Sequence, residues 1–209
     1  MTREELKNKK VAILGIGVEG LAVAKFLKKI GADVFILDEK EEPELEKSSL
    51  ESINKLDVPA FFGKTAFSKL KDFKILFRSP GVKCDQKMLI DAQNSGVIIT
   101  SQTQLFFDLC PCPIIGVTGT KGKGTTSSLI YEMLKRQGLD AYLGGNIGTP
   151  PISFLEKADD NRTSAGTSYS SLQLRQMTLT NRCATTIITV EVVKNGSIPI
   201  LFKRVTAPG

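Results

Sequence analysis

Two glycine-rich loops, each set between an apolar run and a helical pattern, constrain this chain more than any other feature. The first is Gly15-Ile16-Gly17-Val18-Glu19-Gly20, and the second runs from Gly116 to Thr126 as GVTGTKGKGTT. A strand that ends in glycines and turns directly into a helix sends that helix back across a sheet, so two such loops imply parallel strands joined by helices. Around the first loop, residues 10–38 read as one β-α-β unit. It has a strand over 11–14, a helix with Leu21, Ala24, Leu27 and Ile30 at helical spacing, Gly31 as the helix cap, and a strand over 33–37. A second cycle has a strand over 75–77, a helix over 86–95 stopped by Gly96, and a short strand over 97–100. The expected fold class is α/β, beginning with a Rossmann-like parallel-sheet domain.

The run Cys110-Pro111-Cys112-Pro113 breaks any helix over 104–109, because proline has no amide donor and restricts the residue before it. The domain boundary is expected there, giving domains 1–110 and 111–209. The pattern restarts with a strand over 114–117, the second glycine loop, and a helix in which Leu129, Ile130, Met133 and Leu134 share an apolar face before Gly138 caps it. The acidic stretch over 38–46 reads as a solvated loop or helix start. From about residue 161 the composition shifts: the last 49 residues hold thirteen Ser or Thr, and six basic residues against Glu191 alone. Nearly all of the net charge of +6 therefore sits in this atypical tail, whose one strand pattern lies around 185–193.

That distribution argues against a nucleic-acid face, which needs basic residues spread over a surface. No histidine occurs in the 209 residues, which excludes Ser-His-Asp and Cys-His nucleophiles and His-ligated zinc. Cys84, Cys110, Cys112 and Cys183 have neither disulfide-framework nor zinc spacing and read as plain thiols. No apolar run approaches the ~20 residues of a membrane helix, and the N-terminus MTREELKNKK lacks a signal-peptide core. A cytoplasmic protein with no membrane partner is expected.

In GxGxxG, placed after a strand and before a helix, the glycines let backbone amides approach phosphate oxygens while the helix N-terminus favours an anion. Asp38, at the end of the next strand, can accept hydrogen bonds from a ribose. By itself this pattern suits a nicotinamide or flavin dinucleotide, or glycines that serve only helix packing. The second loop is a phosphate loop of P-loop type. Amides near Gly119 and Gly122 can face phosphate oxygens, and Lys123 can neutralise β- and γ-phosphates as the candidate catalytic residue. A threonine hydroxyl can ligate Mg²⁺. The strict GxxxxGK[ST] form fails at Val117 and Gly124, so Thr125 is the first choice of metal ligand and Thr126 the second. The candidate ATP site is Gly119, Thr120, Lys121, Gly122, Lys123, Gly124, Thr125 and Thr126, with ATP and Mg²⁺ as cofactors.

The run TGTKGKGTT resembles the ATP loop of the Mur ligases and of their relative folylpolyglutamate synthase. The N-terminal glycine fingerprint, Ser79-Pro80-Gly81 and Gly144-Gly145-Asn146-Ile147-Gly148-Thr149-Pro150 resemble, in that order, the D-glutamate-adding Mur ligases, and folylpolyglutamate synthase lacks the first domain. The resemblance covers about residues 8–160. It implies a uridine nucleotide in domain 1–110, where Gly17, Val18 and Glu19 line the uridine diphosphate site, Asp38 sits near the uracil or ribose, and Ser79 and Gly81 approach the diphosphate. Asn146 is implied to contact the muramoyl portion. Two plainer readings stay open: Ser79-Pro80-Gly81 as a turn, and Asn146 as a left-handed residue between glycines.

The implied reaction is ATP-dependent ligation of D-glutamate to UDP-N-acetylmuramoyl-L-alanine, through phosphorylation of its terminal carboxylate and attack by the D-glutamate amine, in a cytoplasmic monomer. The chain departs from the family at Ser168-Tyr169-Ser170-Ser171-Leu172-Gln173-Leu174, where the usual run is close to ELSSFQL, so Ser168 replaces a metal-holding glutamate. The later histidine, modified lysine and amino-acid-binding domain have no counterpart. The expectation is a partial central ATPase domain, with a shifted reading frame from about Arg162 and an inactive product. The competing readings are a folylpolyglutamate synthase relative, a non-catalytic nucleotide-binding fragment and an NAD-dependent oxidoreductase.

Overall fold

A computed structural model describes residues 1–82, 86–110, 114–117, 121–145, 149–155 and 185–189, the last as backbone only. The chain divides into two compact units, Met1–Leu109 and Cys110–Gly209.

In chain order the first unit contains α1 (Arg3–Leu6), β1 (Lys10–Leu14), α2 (Val18–Lys29), β2 (Asp33–Asp38), a 3-10 turn at Glu42–Glu44 and α3 (Lys47–Leu56). Then follow β3 (Ala60–Phe62), a 3-10 helix at Ala66–Asp72, β4 (Ile75–Arg78), α4 (Lys87–Asn94), β5 (Ile98–Thr100) and α5 (Gln102–Leu109). The five strands are parallel, in the order β3-β2-β1-β4-β5, with Leu14 beside both Leu37 and Arg78. Central β1 is buried on both faces from Val11 to Leu14, as its unbroken apolar run requires. One face, Ala12 and Leu14 with Leu76, is covered by Phe67 and Leu70 of the 3-10 helix and by Leu89 and Ala92 of α4. The other face is covered by α2, which buries Val23, Ala24, Phe26 and Leu27, and α5 packs against α2. At about 2 kcal/mol for each large apolar side chain removed from water, these two layers are the main stabilising term.

The connections leaving β1 and β4 therefore pass to opposite faces of the sheet, and the crevice between the carboxyl ends of those strands is where a doubly wound sheet binds ligands. The sequence reading finds this sheet but not α1, α3, β3 or the 3-10 helix at Ala66–Asp72. Strand β3 has only three half-buried residues, too few for an alternation to register.

In the second unit, β6 (Ile114–Val117), α6 (Lys123–Arg136), β7 (Ala141–Gly145), a 3-10 helix at Pro151–Phe154 and β8 (Thr185–Thr189) form a parallel sheet of order β6-β8-β7. The strand foreseen in the tail is thus the middle one, and its continuation past 189 lies outside the described residues. One expectation is corrected here. Leu134 is buried and Ile130 packs beside it, but Leu129 and Met133 are 55% and 61% exposed. Residues 129 and 133 stack one turn apart, as do 130 and 134, but the two rows lie about 100° apart around the helix, and only one faces this sheet. Among the described residues, no helix is long and apolar enough to cross a membrane.

Candidate functional site

Gly15 leaves β1 at φ +90°, a conformation that glycine takes without steric cost, and so turns the chain toward α2. Three contacts pin this loop. The Gly15 amide donates to the Leu37 carbonyl at 2.8 Å, the Ile16 amide donates to Asp38 Oδ2 at 2.9 Å, and Ser79 Oγ donates to the Gly15 carbonyl at 3.1 Å. Asp38 Oδ1 also accepts the Lys40 amide at 2.9 Å. Asp38 is thus a brace between β2 and the glycine loop, and each of its oxygens keeps a lone pair for another donor.

The fingerprint's other two glycines differ in what surrounds them. A Cβ on Gly20 would lie 2.2 Å from the Gly15 carbonyl oxygen, so Gly20 serves the close packing of α2 on the loop. A Cβ on Gly17, the N-cap of α2, would meet nothing within 4 Å. The same is true at Gly81, in the turn where the Val82 amide donates to the Ser79 carbonyl at 3.0 Å. The loop at the end of β1 and the turn at the end of β4 therefore each present an unobstructed glycine, together with the unpaired amides of the first turn of α2. The structure brings Gly17, Val18, Glu19, Asp38, Ser79 and Gly81 together at the carboxyl edge of the sheet. Val18 is 71% exposed. Glu19 is half-buried, and burial raises its carboxyl above the ordinary value near 4.5.

Sequence reasoning missed three residues here. Among the described residues, the buried side-chain polar atoms with no hydrogen-bond partner are Gln86 Oε1, Thr100 Oγ1 and both amide atoms of Gln102. Thr100 ends β5 and Gln102 opens α5, whereas Gln86 is the N-cap of α4 and its amide nitrogen donates to Glu39 Oε2 at 3.3 Å. Buried polar atoms are nearly always paired, so Gln102, with both amide atoms orphaned beside the end of β5, stands out. The sequence signal was faint: two glutamines at helix starts and a threonine at a strand end.

In the second unit, α6 opens at Gly122, which has φ +78°, and Lys123 is its first residue. Lys123 is half-buried, whereas Lys121, Gly122, Gly124, Thr125 and Thr126 are exposed. Added Cβ atoms at Gly122 and Gly124 would meet nothing within 4 Å, so the start of this fourteen-residue helix is open to an anion. Beneath it, buried Ser127 donates its hydroxyl to the Lys123 carbonyl at 2.7 Å and fixes the first turn. Gly119, Thr120 and Asn146 lie outside the described residues. The segment carrying Asn146 begins and ends at Gly145 and Thr149, whose amide and carbonyl are hydrogen-bonded at 3.3 Å.

Comparison with known proteins gives this geometry a family. Residues 9–101 match the family described as Mur ligase MurD-like, N-terminal domain. The chain is 42% identical over 176 residues to the UDP-N-acetylmuramoylalanine--D-glutamate ligase of Acetivibrio thermocellus, covering 84% of this chain and 37% of that protein. It is 37% identical over 175 residues to the enzyme of that name from Clostridium botulinum, covering 84% of this chain and 38% of that protein. Among solved structures, a murein peptide ligase from Psychrobacter arcticus aligns at 20% identity and a TM-score of 0.47, over 90% of this chain and 38% of that one. The chain spans somewhat over a third of the length of the curated relatives it matches. Through its glycine-loop domain and this relationship, the chain belongs to the Mur ligase family, on its MurD-like branch.

Proposed function

We propose that the first unit binds the uridine diphosphate end of UDP-N-acetylmuramoyl-L-alanine and the second binds ATP with Mg²⁺, for addition of D-glutamate in cytoplasmic peptidoglycan precursor synthesis. Mur ligases are ATP-dependent amide-bond-forming enzymes. The observation that carries the assignment of the first site is the open space over Gly17 at the start of α2, with the Gly81 turn that follows neighbouring β4 equally open. A diphosphate there meets the amides of Gly17, Val18 and Glu19 from one strand end and Ser79 and Gly81 from the other, with Asp38 beside the uracil or ribose. Asn146 is assigned to the muramoyl portion.

In the second unit, Lys123 and the amides of residues 119–126 meet the nucleotide phosphates. The described residues contain no group of three or more His, Cys, Asp or Glu able to hold a metal. A Mg²⁺ here is assigned to nucleotide phosphates, water and the Thr125 hydroxyl, since this ion keeps several waters and leans on substrate oxygens. Bound so, it would supply charge neutralisation on the phosphoryl group, and Lys123 would share that task. Ligation also needs the D-glutamate amine held against the activated carboxylate, and we assign no described residue to it. This polypeptide by itself, a monomer, is therefore proposed to bind both nucleotides without forming the amide.

Calorimetric titration with UDP-N-acetylmuramoyl-L-alanine, ATP-Mg²⁺ and NADH in turn tests the reading. The uridine compound should bind more tightly than NADH, and equal or tighter NADH binding would move the first unit to the oxidoreductases.

A further inference from the structure

Gln102, the first residue of α5, is 3% exposed, and neither its amide nitrogen nor its amide oxygen has a hydrogen-bond partner. It lines a small gap of about 10 Å³ with Ile13, Glu19, Val23, Arg78 and Ser79, beside the glycine loop. That is room for about one water molecule. The Gln102 amide lowers the Glu19 pKa somewhat, opposing the larger effect of burial. The Gln102 amide reaches Glu19 only outside ordinary hydrogen-bond geometry.

Glu19 poses an electrostatic difficulty for the site proposed above. It lies in the first turn of α2, at the place assigned to a diphosphate, and a carboxylate beside a diphosphate is repelled unless it takes up a proton. A glutamine side chain can serve both states of such a neighbour. Its NH₂ donates to a carboxylate, and its carbonyl oxygen accepts from a protonated carboxyl. A lysine or a leucine in this position could not do both.

We propose that Gln102 is a positioning residue that holds Glu19 through a change of protonation, so that binding of the substrate diphosphate at the start of α2 takes up about one proton from solvent. This deepens the uridine diphosphate reading and rests on it. Few charged groups compete for Glu19. Arg78 lines the same gap, and its guanidinium donates to the Val82 carbonyl. Of the neighbouring helices, α3 carries exposed Lys47, Glu51 and Lys55, α2 itself carries exposed Lys25, and Asp108 of α5 is paired with the Met1 ammonium at 3.0 Å.

The test is calorimetry of the full chain with UDP-N-acetylmuramoyl-L-alanine between pH 5 and 8, in buffers of different ionisation enthalpy. The ligand's diphosphate is a diester, and its alanyl carboxylate titrates below this range, so proton uptake reports the protein. Wild type should take up about one proton, with affinity falling by up to about tenfold per pH unit across part of the range. In Glu19→Gln the uptake should vanish and the affinity become nearly independent of pH. Gln102→Leu should move the midpoint of the profile upward, because the donor to the carboxylate is gone. Its urea midpoint should be unchanged or higher, since an orphaned polar group has been replaced by an apolar one. A glutamine that merely supported the fold would instead lower the urea midpoint and leave the pH profile in place. Tight binding with no proton uptake in wild type would overturn the inference and leave the diphosphate site standing. No binding at any pH would overturn both.

Discussion

Replacing Gly20 by alanine should unfold the site, whereas replacing Gly17 should only empty it. A methyl group on Gly20 would sit 2.2 Å from the Gly15 carbonyl oxygen and 3.2 Å from Ser79 Oγ, so α2 must shift by about an ångström against β1. Overpacking of that kind costs about 1–3 kcal/mol, and the 3.1 Å bond from Ser79 to Gly15 adds about 1 kcal/mol if it is lost. Alanine returns about 1 kcal/mol through helix propensity. The net destabilisation is then about 1–3 kcal/mol, which lowers the urea midpoint by about 0.5–2 M at the slopes of small domains. The chain has no tryptophan, so far-ultraviolet circular dichroism is the probe. At Gly17, threonine keeps an N-cap residue and adds its atoms into open space, so the midpoint should stay within about 0.5 kcal/mol while affinity for UDP-N-acetylmuramoyl-L-alanine falls at least about tenfold. An unchanged midpoint for Gly20→Ala would refute the packing argument. Unchanged affinity for Gly17→Thr would place the ligand elsewhere.

Asp38→Ala should cost about 2–3 kcal/mol, because the Ile16 and Lys40 amides both lose a charged acceptor; Asp38→Asn, which keeps one acceptor oxygen, should cost clearly less by urea titration. Lys123→Ala should weaken ATP-Mg²⁺ binding by about 10- to 100-fold and leave the uridine ligand's affinity untouched, as calorimetry with each ligand will show. Glu19 has a folded pKa raised above its ordinary 4.5, so its ionisation opposes folding. Glu19→Gln should therefore gain a small stability margin at pH 7 that shrinks as pH falls and is gone below about 4.5, measured by urea midpoints across that range. Neither ADP release nor D-glutamate incorporation by the purified chain should exceed that of the Lys123→Ala variant.

How far the fold could be read from sequence depended on the length of each pattern. Strand β1, helix α2 and β2 were legible because a buried parallel strand is apolar throughout and the glycines around it punctuate its ends. Helix α4 was legible from Gly96, which sits just past its end at φ +86°. The stretch from Glu46 to Phe73 was not: α3 begins without a side-chain cap, β3 is three residues long, and the 3-10 helix has no 3.6-residue repeat. The exposed row Leu129 and Met133 misled for a related reason. Four apolar residues within six positions fill two adjacent helix rows, and periodicity does not say which row the sheet covers.

The site was legible in a different sense from the fold. GxGxxG identified three glycines as a unit, yet only the structure separates the positive φ of Gly15, the close packing of Gly20 and the vacant approach at Gly17. Ser79 and Asp38 came forward for what they offer a ligand, and both prove to hold the loop in shape as well. Gln102 drew no notice, because a glutamine after a short strand matches no motif. Its importance lies in a mismatch between burial and bonding that no spacing encodes. Motifs report where backbone must approach a ligand, since that demands glycine. Side chains that tune a neighbour's charge demand only an amide in the right place, so they become visible when every buried polar atom is asked for its partner.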